Sequence, residues 1–141
     1  SLDLLPTCLA AAGGEVDPAW EMDGVNLLPY LSGENDKVPH ENLFWRFWRV
    51  SVARQGPWKL LRVAENPLEE DRELLAPLML VNLDDDPAET TNVASKHPEV
   101  TADLLRRLEA WEEPLGQPRW YDGSAWQHWQ EEQLKNHPIE P

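Results

Sequence analysis

Leu80-Val81-Asn82-Leu83-Asp84-Asp85-Asp86-Pro87-Ala88-Glu89-Thr90-Thr91-Asn92-Val93-Ala94 decides how this chain folds. Leu80 to Leu83 suit a strand. The run then ends in three aspartates, a proline and a glutamate. Asp86 is a good helix N-cap, Pro87 suits the first helical position, and Glu89 stands three residues after the cap. The spacing predicts a helical turn entered at Pro87 through a capping box. The aspartates also raise a cation site, but a calcium loop needs oxygens at alternating positions around a glycine and a closing glutamate. No glycine follows here, so capping is the better reading.

Outward from this stretch, the order of elements is α+β. Leu2 to Ala12 reads as a short helix with Asp3 as its cap, Pro6 in its first turn and Gly13-Gly14 at its end. Cys8 falls with Leu4, Leu5 and Ala12, which predicts a buried small hydrophobe. No neighbouring His or helix N-terminus marks it as a catalytic thiol. Glu15 to Pro39 is loop-rich, with a helical turn near Val25 to Leu31 and a surface turn at Ser32-Gly33. Leu43 to Val50 is aromatic and β-prone, and Val50 to Ala53 alternates. Arg54-Gln55-Gly56-Pro57 is a turn, Trp58 to Val63 returns, and Leu78 to Leu83 is a further strand. An antiparallel sheet of three to four strands follows. Pro98 opens a long helix in which Val100, Leu104, Leu108 and Trp111 recur at helical spacing, while Arg106, Arg107 and Glu109 lie off that stripe. The helix packs on one face of the sheet. Gly116 to Pro141 has no clear period, and its aromatics are expected to pin it to a surface.

The chain has 141 residues and a net charge of −14. Its length suits one domain with a modest core, and its charge argues against a nucleic-acid partner. Eight tryptophans and thirteen prolines predict loops held by aromatic packing. With a single cysteine no internal disulfide can form. No run reaches the roughly 18 apolar residues needed to span a membrane, and Ser1 to Gly14 lacks the basic start of a signal peptide. The chain opens directly in an apolar helical pattern, as expected of a piece of something longer.

Five segments in order resemble the C-terminal part of the sulfatase (arylsulfatase) family. Ser1 to Thr7 is similar to "S-x-x-D-x-x-P-T", and Asp23 to Gly33 to "D-G-x-S-L-x-P-x-L-x-G". His40 to Trp45 resembles "E-x-L-F-W", and Val52 to Leu60 resembles "A-V-R-x-G-x-W-K-L". Leu80 to Ala94 resembles "L-x-N-L-x-x-D-P-x-E-x-x-N-L-A". The match runs from Ser1 to about Trp111. It implies an alkaline-phosphatase-like superfamily fold, with residues 1–14 as the last helix of a missing large α/β domain. Residues 15–40 would connect it to a sheet-plus-helix subdomain over 41–115, followed by a Trp-rich tail over 116–141. It implies calcium and a formylglycine nucleophile in the missing N-terminal catalytic domain, and a periplasmic or secreted location. Cys8 is followed by Leu9-Ala10-Ala11-Ala12 rather than "C-x-P-x-R", so no catalytic residue carries over and this chain is expected to be inactive alone.

The resemblance implies that in the whole enzyme the smaller subdomain borders the cleft. That makes His40, Trp45, Arg46, Trp48 and Arg49 candidates for a substrate rim. Arg can pair bidentately with sulfate, and Trp can stack on a sugar or aryl ring. Against this stands the reading of the aromatics as sheet core and of the arginines as solvated. Arg54 and Lys59 flank the hairpin turn and are expected to serve it, and His97 precedes a helix. The expected partners are the catalytic domain, a sulfated small molecule or glycan, and a second copy through the bared domain interface. The alternatives are a non-catalytic carbohydrate-binding or interaction module, or part of a phosphonate or phosphodiester hydrolase.

Overall fold

Strand β1 (Asn42–Phe47) turns into β2 (Val50–Gln55), which returns as β3 (Trp58–Val63), and β4 (Met79–Asn82) completes the sheet. The computed structural model describes residues 1–47, 49–64, 74, 76–116, 128 and 132–139. All three pairings are antiparallel and the strand order is β1-β2-β3-β4. The β2–β3 turn is tight because Gly56 takes φ +55°, open to glycine without steric cost. Arg54 Nε donates to Gly56 O at 3.2 Å, the turn role expected of it.

Directly opposed residues share a face. The register therefore places Phe44, Ala53, Leu60 and Leu80 in one row, and Arg46, Ser51 and Arg62 in the next. Helix α3 (Pro98–Glu112) covers this face. Leu104 and Leu108, one turn apart, close over Ala53, Leu60 and Leu80, and these five residues are almost wholly buried. Phe44 stacks on Trp111 with ring centroids 5.6 Å apart, and Trp58 meets the His97 ring at 4.8 Å. The predicted stripe is present. Its continuation is polar: Glu112, four residues beyond Leu108, is 1% exposed. It accepts from Arg62 Nη2 at 2.6 Å and from the Ser51 hydroxyl at 2.5 Å.

The predicted turn at Pro87 forms as a single turn, with Glu89 N donating to Asp86 O at 3.1 Å, but no helix follows it and the capping box does not close. Glu89 takes φ +56°, which breaks any helix there. Its carboxylate lies 2.5 Å from Lys59 Nζ instead of reaching back to cap a backbone amide. Asp86 still acts as a side-chain acceptor, but for a loop: its Oδ2 accepts from the Thr90 and Thr91 amides, each at 2.8 Å. Thr91, Thr90 and Glu89 together hold the Asp86 carboxyl below the usual carboxylate value. Asn92 then pins the chain to the outer edge of β4. Its Oδ1 accepts from the Leu80 amide and its Nδ2 donates to Leu78 O, both at 3.0 Å. The stretch that announced the fold thus closes a sheet edge.

Ser1–Glu41 and Asn42–Pro141 form separate compact units. The first holds α1 (Leu4–Ala11) and α2 (Leu28–Leu31). Cys8, expected to be buried, is exposed, because α1 turns its other side inward. Asp3 stands at the N-cap position of α1 but makes no side-chain cap bond. The Trp-rich residues 117–127, with Trp129, lie outside the described residues, as does the expectation that they are pinned.

Leu108→Ala should cost about 3 kcal/mol in urea unfolding, since a fully buried leucine leaves a cavity, while Arg106→Ala on the exposed side of α3 should change stability by less than about 0.5 kcal/mol.

Candidate functional site

Asp3 and Thr7 lie four residues apart and so share one side of α1. Their side chains hold the incoming loop. Asp3 Oδ1 accepts from the Val25 amide at 2.8 Å, and Thr7 Oγ1 accepts from the Leu27 amide at 2.9 Å. The same Asp3 oxygen meets His40 Nε2 at 2.7 Å. Gly24 fits because a Cβ there would come within 2.2 Å of Leu2 O. The Asp and Thr of the first motif therefore bind the segment that carries the second. Burial works against a charged Asp3, but the Val25 amide, His40 and the N-terminal amine outweigh it and hold the carboxyl below its ordinary value.

On the sheet face away from α3, Trp45 is 41% exposed. Lys59 Nζ stands 5.8 Å from its ring centroid while paired with Glu89. Lys59, expected to serve the turn, thus links β3 to the aspartate-rich loop and to an open aromatic ring. Arg46 points the other way, toward α3, where Nη2 donates to Gly116 O at 3.2 Å. Arg49, after β1, is buried at 6% exposure. Within the second unit the described rim candidates point different ways. His40 belongs to the first unit, Trp45 and Arg46 occupy opposite faces of β1, Arg49 is inside, and Trp48 lies outside the described residues.

A cleft of about 730 Å³ opens between Met79, residues 89–92 and residues 136–139. Several of its polar groups are already engaged. Asn92 is bonded to backbone, Thr90 donates to Asp86, and Glu89 pairs with Lys59. Among the described residues no group of three or more His, Cys, Asp or Glu is gathered as a cation cage requires. Asp86 is turned to Thr90 and Thr91, and Asp85 to the Asn82 amide. Among the described residues there is thus no ready cage for the calcium that the resemblance implies for the large domain.

No family model matches the chain. Arylsulfatase A of Bos taurus is 30% identical over 77% of this chain and 25% of its own length. The chain belongs to the sulfatase family. A second sulfatase, uncharacterized YdeN of Escherichia coli K12, is 40% identical over 32% of this chain and 8% of its own length. The structure of Ps i-CgsB in complex with k-i-k-neocarrahexaose matches with a TM-score of 0.65 and 25% identity, over 96% of this chain and 28% of that one. A Bacteroides thetaiotaomicron protein, described with the metabolism of multiple glycosaminoglycans, matches with a TM-score of 0.59 and 25% identity, over 78% and 24% of the two chains. The fold is that of the C-terminal subdomain of sulfatases in the alkaline-phosphatase-like superfamily, and the chain spans about a quarter of the length of arylsulfatase A. No helix among the described residues is long and apolar enough to cross a membrane.

The lowered acidity of Asp3 gives a sign to pH dependence. Its contribution is present above the unfolded carboxyl value of 3.8 and lost as pH falls through the lower folded value. The difference in Tm between the parent and Asp3→Asn should therefore be open at pH 5 and close on acidification below 3.8. A gap independent of pH would remove the carboxylate from this role.

Proposed function

We propose that this chain is the C-terminal subdomain of a sulfuric ester hydrolase, inactive alone and contributing support and part of the substrate rim. The observation that carries the reading is the match to arylsulfatase A, which covers most of this chain and only 25% of that enzyme. The context of Cys8 agrees with it, since the nucleophile and any calcium would then be supplied by the rest of the enzyme.

Within the rim, Trp45 carries the reading furthest. A sulfated glycan or aryl sulfate needs an accessible flat apolar surface, and Trp45 offers one beside a cation and at the edge of the sheet. His40 and Arg46 have intramolecular partners and Arg49 is buried, so their part in substrate selection is a positioning one. The relatives described with a neocarrahexaose and with glycosaminoglycan metabolism favour a sulfated oligosaccharide as the substrate class.

Aryl-sulfate hydrolysis should occur with the longer gene product in calcium and not with the 141 residues alone. Hydrolysis by these residues alone would overturn the proposal. Hydrolysis by neither would move the reading to a phosphonate or phosphodiester hydrolase or a carbohydrate-binding module. In an active longer product, Trp45→Ala should raise KM for a sulfated oligosaccharide about 10-fold with little change in kcat, as loss of one stacking contact predicts.

A further inference from the structure

The cleft beside β4 has two walls, and each is held by its own hydrogen bonds. One wall is residues 89–92. Asp86 Oδ2 accepts from the Thr90 and Thr91 amides, and Asn92 ties the chain to β4 through the Leu80 amide and Leu78 O. The other wall is residues 136–139. Residues 132–136 are helical, and the His137 amide donates to Gln133 O at 2.8 Å before Pro138 ends the run. Every lining residue belongs to the second unit, so the shape of the cleft is set within that unit. Its volume of about 730 Å³ is that of a small-molecule site, and a site held before binding spends little on ordering itself.

The carboxylate in its lining, Glu89, is neutralised by Lys59. The cleft is thus close to neutral in a chain of net charge −14. Thr91, Asn136 and His137 also line it, and their side chains have no hydrogen-bond partner among the described residues. Together they offer donors and acceptors without net charge. Met79, Pro138 and Ile139 set apolar surface beside them. We infer that this cleft binds a neutral saccharide unit, with ring hydroxyls on Thr91, Asn136 and His137 and the C–H face of the ring on Met79 and Ile139. A peptide strand is the poorer fit. It would need free backbone groups on the outer edge of β4, and Asn92 already takes the Leu80 amide and Leu78 O there. An anion is also the poorer fit, because the Lys59 ammonium is committed to Glu89 and the field of the chain is negative. The inference does not rest on the sulfatase reading.

Calorimetric titration of the longer gene product with cellohexaose, mannohexaose and chitohexaose tests this. The protein titrated carries Trp45→Ala, so that stacking at the proposed rim adds nothing to the signal. At least one hexaose should bind with a Kd below about 1 mM. Asn136→Ala with His137→Ala, both at exposed positions, removes two hydrogen-bonding groups and should weaken that binding at least about 10-fold. Thr91→Val, which keeps the shape of the side chain, should weaken it about 5-fold and serves as the second variant. Failure of all three sugars to bind overturns the inference, and so does unchanged binding by these variants. A sulfated preparation of the bound hexaose should bind no more tightly, and tighter binding overturns the neutral class. Sulfate-ester hydrolysis by the longer product with Trp45 intact is measured alongside. Hydrolysis without hexaose binding sinks the cleft alone, while hexaose binding without hydrolysis sinks the sulfatase activity alone.

Discussion

The sheet and helix of the second unit depend on a buried ion pair. Arg62 and Glu112 are each 1% exposed and 2.6 Å apart, and the Ser51 hydroxyl bridges them. Removing two charges from water is costly, and their attraction offsets that cost only in good geometry. Arg62 Nε and Nη1 have no hydrogen-bond partner among the described residues, so the pair is weak as a net source of stability. Its effect is positional. Helix α3 runs along β3 with His97 against Trp58 at one end and Glu112 against Arg62 at the other. Leu104 and Leu108 lie between them in the core with Leu60. A slip of α3 by one turn would leave both charges buried and unpaired.

With α3 fixed on one face, the loop that leads into it is fixed as well. Asp86, Glu89 and Asn92 each close a different contact: the loop itself, Lys59 of β3, and the outer edge of β4. The acidic run is therefore spent on architecture. What remains available is the opposite face, where Trp45 stands beside the Lys59–Glu89 pair. One loop thus joins the part of the sheet that holds the helix to the part proposed to meet substrate.

Much of this was legible in the sequence, for physical reasons that differ by element. The strands were readable because β-branched and aromatic runs between turns admit little else. The long helix was readable because Val100, Leu104 and Leu108 repeat at its period. Glu112 was not, since a polar side chain on an apolar stripe is explained only by a partner 50 residues away. The signal was present all the same, because Glu112 extends the 104–108 spacing by one more turn. The capping box at Pro87 misled because Asp86, Pro87 and Glu89 satisfy every local rule for a capped helix, while Lys59 claims the glutamate and the chain stops at one turn. Cys8 misled because the helix it sits on packs by its polar side. The rim residues were named from the family resemblance and their chemistry, and a sequence alone does not show that Trp45 and Arg46, as neighbours on β1, face opposite ways.

A double-mutant cycle at positions 62 and 112, followed by urea unfolding, tests the central constraint most directly. Glu112→Leu alone should cost about 3 to 5 kcal/mol by stranding a buried guanidinium, and adding Arg62→Met should restore most of that loss. Losses that simply add would show that the two charges act independently and that something else sets the position of α3.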